Sequence, residues 1–308
     1  MSTEINSSFD LDNCEDFRDF IFTLDNFLDD LGTANACLRK VGHLAMARLI
    51  QQSAPSTFRS IKKLETQLDE NGFVVIKNTL VNEQSEDLAQ LTSIAIASIF
   101  GKPTKTDQRN EQIAWPIKYD PTTTLDRTFS QSQGEAAFHT DTQYYMNPEK
   151  YFGLFCVFSD VAGKGTNRLQ NGLVLLEQFE SEFGKHSLKQ LRKPFPFRVP
   201  SVFTKEASND SIEIVWAPIH DVTKNTIRYR KDTIDKALET GSIEITSDQQ
   251  HAIDNFNTML NELPSITYHL KQGEAMIVDN HTMLHARTKF DNPNRLLYRV
   301  RMASEDSL

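Results

Sequence analysis

Long apolar runs are absent from this 308-residue chain, and no stretch approaches the ~18–20 residues that a membrane span needs. Cysteine is scarce. Cys14, Cys37 and Cys156 are odd in number, widely spread and form no C-x-x-C unit, so a disulfide framework is not expected and free thiols in a reducing compartment are. Basic charge is short as well: 33 Lys and Arg face 42 Asp and Glu, a net charge of -9, which argues against nucleic acid or an anionic membrane as partner. The opening residues, Met1-Ser2-Thr3-Glu4-Ile5-Asn6, lack the basic start and apolar core of a signal peptide, so a cytoplasmic location is expected. No internal repeat or low-complexity tract appears.

Phenylalanine is plentiful, with 20 residues, enough with the other apolar side chains for a sizeable core. Residues 1–9 are polar and read as a disordered tail. Residues 10–70 read as a helical layer packed on the core. Phe17, Phe20, Ile21, Leu24, Phe27, Leu28 and Leu31 recur at three- and four-residue steps, with Asn13 placed to cap that helix and Gly32 to end it. Core packing is the expected role of this stripe, and a dimer contact is the alternative. A second helix is expected over 34–52, broken by Ser53-Ala54-Pro55-Ser56, then a third leading to Asn71-Gly72, and a fourth over 83–100 with Leu88, Leu91, Ala95 and Ile99 on one face. Residues 102–134 are polar and turn-rich, a pattern that in compact domains is functional or mobile. Apolar runs over 151–160, 267–270 and 275–278 read as strands. Residues 173–183 read as a helix closed by Gly184, and Thr246-x-x-Gln249 as a capping box for a helix to Glu262. Many short strands separated by turns, with scattered helices, point to a mainly β (α+β) sandwich or jelly roll over 71–308.

Two stretches carry chemistry. In Phe138-His139-Thr140-Asp141, the His and Asp two apart share one face of a strand and can meet one ion. In Val278-Asp279-Asn280-His281-Thr282-Met283-Leu284-His285-Ala286-Arg287, a short strand and loop deliver His285. Two imidazoles and one carboxylate with open positions form the ligand set of non-haem Fe(II) oxygenases. After Pro293, Arg295, Leu297, Arg299 and Arg301 alternate with Leu296, Tyr298, Val300 and Met302. Three arginines on one strand face suit either solvent or a carboxylate pocket.

On these segments, together with Asn71-Gly72-Phe73-Val74-Val75-Ile76 and the turn Gly163-Lys164-Gly165-Thr166-Asn167, the chain resembles the taurine dioxygenase and clavaminate synthase-like group of Fe(II)/2-oxoglutarate-dependent oxygenases over roughly residues 71–302. The resemblance implies a distorted double-stranded β-helix, with a pocket-covering excursion near 185–245. It implies Fe(II) held by His139, Asp141 and His285, with 2-oxoglutarate and O2 as co-substrates. It implies Thr166 and Arg299 as partners of the 2-oxoglutarate tail, with Arg295 the alternative to Arg299. The carboxylate of Asp141 further implies hydroxylation or desaturation rather than halogenation.

The implied substrate is a small polar molecule, an amino acid or related acid. Gln131, Gln133, Tyr144, Tyr145, Asp221, Arg230 and Arg301 lie in segments expected to border the pocket, with a structural or surface role as the alternative for each. His43, His186, His220, His251, His269 and His281 receive no role. Competing readings are a zinc-dependent hydrolase using the same three ligands and a non-catalytic jelly-roll binding protein. Oligomeric state is not legible.

Overall fold

The computed structural model describes residues 8–105, 112–121, 129–160, 164–200 and 213–304. The expectations for residues 1–7, for Gly163 and for parts of the 102–134 segment and of the 185–245 excursion lie outside these residues.

The chain opens with β1 (Ser8–Asp10), which pairs in parallel with β2 (Phe73–Lys77). Ser8 and Phe9 therefore do not belong to a disordered tail; the Phe9 ring packs on the helical core, which ties the segment down. Four helices follow: α1 (Phe17–Leu31), α2 (Ala34–Val41), α3 (His43–Ser53) and α4 (Pro55–Asn71). Gly32 ends α1 as expected, but Asn13 does not begin it. A 3-10 turn occupies Leu11–Asn13, and α1 starts at the first Phe of the stripe. The capping side chain nearby is Asp16, and it serves another helix. Its carboxylate accepts from the N–H groups of Ser56 and Thr57 at the start of α4 (2.7 and 3.0 Å). The single helix expected over 34–52 is split at Gly42, whose φ of 76° interrupts the helical backbone.

Helix α5 (Glu86–Phe100) is buried over most of its surface rather than along one face. It lies between the N-terminal helices and the major sheet, in contact with α1 to α4 on one side and with strands on the other. After β3 (Lys102–Thr104) and β4 (Trp115–Ile117) come the strands that frame the cavity: β5 (Ala136–His139), β6 (Tyr151–Phe158) and β7 (Asn167–Asn171). Helix α6 (Gly172–Leu191) is two helical segments joined at Gly184, whose φ of 80° and ψ of 166° are non-helical, so the first segment closes there as expected. The excursion contributes β8 (Pro194–Arg198), β9 (Ile214–Pro218), β10 (His220–Asp221), β11 (Thr226–Ile227) and α7 (Lys231–Leu238). The expected capping box is present on α8 (Ser247–Glu262), and β12 (Ile266–Tyr268), β13 (Ala275–Asp279), β14 (Met283–Arg287) and β15 (Leu296–Ala303) complete the chain.

The major sheet has seven strands in the order β1-β2-β13-β6-β15-β3, with β4 also paired to β15. The minor sheet is β12-β7-β14-β5. Alternation along the strands sorts side chains into layers. Val74, Ile76, Phe155, Ile277, Tyr298 and Val300 face the helices. Phe73, Val75, Phe152, Met276, Val278 and Leu297 face the minor sheet. The outer side of the minor sheet, with Phe138, Leu284 and Ala286, joins a further core with α6, α8 and the excursion. The architecture is a double-stranded β-helix carrying an N-terminal helical layer, and the site lies between its two sheets.

Candidate active site

Strands β5 and β14 are neighbours in register, with His139 opposite His285. Phe138, Leu284 and Ala286 point outward, so His139 and His285 point inward, and their rings come to 4.3 Å between centroids. Asp141 follows β5 on the same side. Its Oδ1 lies 3.7 Å from His139 Nε2 and 3.8 Å from His285 Nε2. The His139 Nδ1 lies 2.8 Å from the Ala137 carbonyl, a contact that makes Nδ1–H the donor and leaves the Nε2 lone pair facing the cavity. Burial, then the nearby His285 and Arg230, hold the His139 pKa well below the ordinary histidine value, so the ring is neutral as a ligand must be. The three donor atoms lie within 4.8 Å of one another.

Asp141 Oδ1 faces the imidazoles and also accepts from Arg299 Nη1 (3.3 Å), which lies 3.0 Å from Oδ2, while Oδ2 accepts from Arg301 Nε at 3.0 Å. Burial would raise the Asp141 pKa, but Arg299 and then Arg301 outweigh it and hold the carboxyl well below the usual range. Arg301 is only 3% exposed. The next residue, Thr142, has a φ of 51°, a conformation uncommon outside glycine. Asn280, in the turn between β13 and β14, braces this bend. Its Oδ1 accepts from the Asp141 N–H (2.6 Å), and its Nδ2 donates to the carbonyls of Asp141 (3.1 Å) and Glu149 (2.9 Å). The Glu149 carboxylate is buried and accepts from Thr142 and Thr104 hydroxyls.

A cavity runs from this triad between the sheets. Phe129, Phe152, Leu154, Leu169 and Met276 form its apolar wall, and Asn167, Arg287, Arg295 and Arg299 bring polar groups to it. Arg295 is 4% exposed and Arg287 7%; the guanidiniums stack on the same Phe290 ring at 4.8 and 4.6 Å from its centroid. Burial, and for Arg287 also the neighbouring Arg295, push their pKa values down to about 10 and about 9, which leaves both protonated at neutral pH. Arg295 Nη1 and Arg287 Nε have no hydrogen-bond partner among the described residues. Gly165 has a φ of +72°, and a Cβ there would come within 2.9 Å of Arg295 Nε, so the turn and the arginine require glycine at this position.

The structure thus brings His139, Asp141, His285, Arg299 and Arg301 together at one end of the cavity, and Arg295 with the Gly165 turn at the other. Thr166 lies in that turn, half-buried, with its backbone paired to Thr288 and its neighbour Asn167 on the cavity wall. Arg230 is bridged to His139 through the backbone and lies over the Phe129 ring, with its guanidinium engaged by Asp232. Tyr144 is buried against Tyr145 in the outer core. Gln133 binds the 290–291 backbone. Gln131 sits in the 3-10 turn Phe129–Gln131, beside Phe129 and Ser130 of the cavity wall. Asp221 accepts from Thr223 and Lys224 in its own turn. His281 reaches the Pro148 carbonyl. Asn280 and Arg287 stand inside the signature segment yet carry no sequence signal for their roles; only the tertiary contacts reveal them.

Metal–ligand bonds of about 2.0–2.2 Å place neighbouring ligand atoms about 3 Å apart. The triad is slightly wider than that and fits an ion after a small inward movement. Three donors on one side, all of the N and O type, match the facial set of a non-haem Fe(II) centre and leave the cavity side open.

Residues 47–301 match the family described as "Taurine catabolism dioxygenase TauD, TfdA family". Among solved structures, asparagine oxygenase in complex with Fe(II), 2S,3S-3-hydroxyasparagine and succinate is similar at a TM-score of 0.74 and 15% identity, over 97% of this chain and 94% of that one. The non-heme iron oxygenase OrfP in complex with Fe and alpha-ketoglutaric acid is similar at a TM-score of 0.69 and 14% identity, again over 97% and 94%. OrfP in complex with Fe, succinate and (3S)-hydroxy-L-Arg gives 0.69 and 14% with the same coverage. No curated protein matches the chain. With the family match spanning most of the sequence and the triad in place, the chain belongs to the TauD/TfdA family of dioxygenases.

Proposed function

We propose that this dioxygenase hydroxylates a small polar molecule, an amino acid or related acid, with Fe(II) held by His139, Asp141 and His285 and 2-oxoglutarate as co-substrate. The observation that carries the reading is the triad at one end of a cavity whose other end presents buried, unpartnered guanidinium nitrogens. Iron with 2-oxoglutarate and O2 supplies the oxidising power, and the co-substrate leaves as succinate and CO2.

The protein's own part is orientation, charge and exclusion of water. Arg295 takes the distal carboxylate of 2-oxoglutarate, with Thr166 beside it. Support comes from its place by the Gly165 turn and its free Nη1, whereas Arg299, favoured by counting from His285, is engaged with Asp141. Arg301 holds Asp141 Oδ2 and Arg299 lies against both oxygens, which fixes the carboxylate with Oδ1 toward the imidazoles, where it would serve the metal. The apolar wall of Phe129, Phe152, Leu154 and Leu169 keeps water from the reacting centre. Retention of Asp141 favours hydroxylation, or desaturation, over halogenation. A zinc hydrolase would need a second group as general base, and Asp141 is the only carboxylate on the cavity wall among the described residues. Asparagine and arginine derivatives in the similar structures support an amino-acid substrate. Three buried free thiols suit a reducing compartment, the cytoplasm. No helix of the described residues is long and apolar enough to cross a membrane.

The test is anaerobic addition of Fe(II) and then 2-oxoglutarate, followed by an amino-acid screen in air. A weak visible charge-transfer band, then succinate release with a +16 (or -2) mass change for one substrate, is expected. Absence of the band with iron bound would overturn the reading.

A further inference from the structure

Building on the reading of the cavity as a 2-oxoglutarate site, we propose that Arg287 is a second anchor for the distal carboxylate, acting with Arg295. Arg287 lies on β14 two residues beyond His285, on the same inward face. Its Nη2 is committed to the fold and donates to the carbonyls of Ser132 and Gly134. Its Nε is not, and has no partner among the described residues. Arg295 presents the same situation at Nη1, and both cations stack on Phe290.

Two buried like charges on one ring, each with an unfilled donor, repel one another until an anion joins them. The cavity wall offers three guanidiniums, of Arg287, Arg295 and Arg299, against the single carboxylate of Asp141, which already serves Arg299. Asp160 is the acid whose field reaches Arg295, but it does not line the cavity and its Oδ2 accepts from the N–H groups of Asp291 and Asn292. A carboxylate has two oxygens and can take one donor from each arginine.

The experiment compares binding of 2-oxoglutarate and 2-oxopentanoate, the same carbon chain without the distal carboxylate, to the Fe(II)-loaded protein under anaerobic conditions. Calorimetric titration reads both. Arg287→Met is expected to weaken 2-oxoglutarate by about 10- to 100-fold while 2-oxopentanoate changes by less than about twofold. Arg287→Gln keeps an amide donor for the Ser132 and Gly134 carbonyls and guards against a misfolded Met variant; the same selective loss is expected. Equal weakening of both ligands would show that Arg287 is only a structural clamp, and no weakening of either would remove it from the site. The reading beneath fails separately: it falls if 2-oxoglutarate does not bind the unmodified protein, or if Arg295→Met leaves its preference over 2-oxopentanoate intact.

Discussion

The two ends of the cavity handle buried charge in opposite ways. At the triad end, Asp141 answers Arg299 and Arg301 at 3.0 Å, and its backbone is fastened at N–H and carbonyl by Asn280. At the far end, Arg287 and Arg295 crowd one phenyl ring with no carboxylate on the cavity wall beside them; among the described residues unfilled donors occur at both ends, on Arg287 Nε and Arg295 Nη1 and on Arg299 Nε and Arg301 Nη1. Breaking a buried ion pair strands a charge, whereas removing an unpaired one relieves the fold. The first end is therefore built to be rigid before anything binds. On the proposal above, the second is completed by the distal carboxylate of the co-substrate, which relieves the repulsion between Arg287 and Arg295.

The largest test of this contrast is at the ligands themselves. His139→Ala, Asp141→Ala and His285→Ala should each reduce turnover to background while circular dichroism stays native. Full activity of any one at limiting iron would remove that residue from the metal site. Next in size, Asn280→Ala should weaken iron by about 10- to 100-fold, as loss of outer partners of metal ligands does. An unchanged iron titration would mean that the bend after Asp141 needs no brace. The ends should then part company in the metal-free protein. Arg301→Met should cost about 1–3 kcal/mol, less than the about 3–5 kcal/mol of a fully stranded charge because Arg299 remains. Arg295→Met should be neutral or slightly stabilising while it weakens 2-oxoglutarate. Denaturant unfolding of both variants decides the point, and equal destabilisation would erase the distinction between the ends.

The smallest effect is in pH. The His139 pKa is lowered in the fold, so as pH falls through the unfolded value near 6.5 the unfolded chain takes up a proton first. Stability of the metal-free protein should then decline from pH 7 toward 5.5, by at most about 1.4 kcal/mol per unit from this group. His139→Gln should flatten that slope, and an identical pH profile would show that the ring titrates alike in the folded and unfolded chain.

Legibility in the sequence followed the reach of each signal. The period-2 pattern of β15 predicted its two faces, because alternation is a local property of a strand; Tyr298 and Val300 do face the helices while Leu297 faces the cavity. The same-face spacing of His139 and Asp141 is equally local. Choosing between Arg295 and Arg299 was beyond it. The count from His285 passes through an irregular connection, and β15 shifts register between Leu296 and Leu297. The cap at Asp16 was missed because it acts on α4, 40 residues away, and not on its own helix. Gly184 was legible as a breaker and Gly42 was not, yet both interrupt their helices with nearly the same backbone angles, φ 80° and ψ 166° against φ 76° and ψ 165°.

The brace at Asn280 also sets a timetable. Its bonds to Asp141 join residues 139 positions apart, and Arg301 reaches Asp141 across 160. Closing such loops is entropically slow and is rewarded only when both partners are present. During synthesis the His139-x-Asp141 half emerges long before its counterpart, so the nascent chain has no complete seat for iron. Metallation therefore belongs to the last stage of maturation, after β14 and β15 have entered their sheets, and a chain halted before residue 285 should leave the ribosome unable to retain the ion however well its first strands have formed.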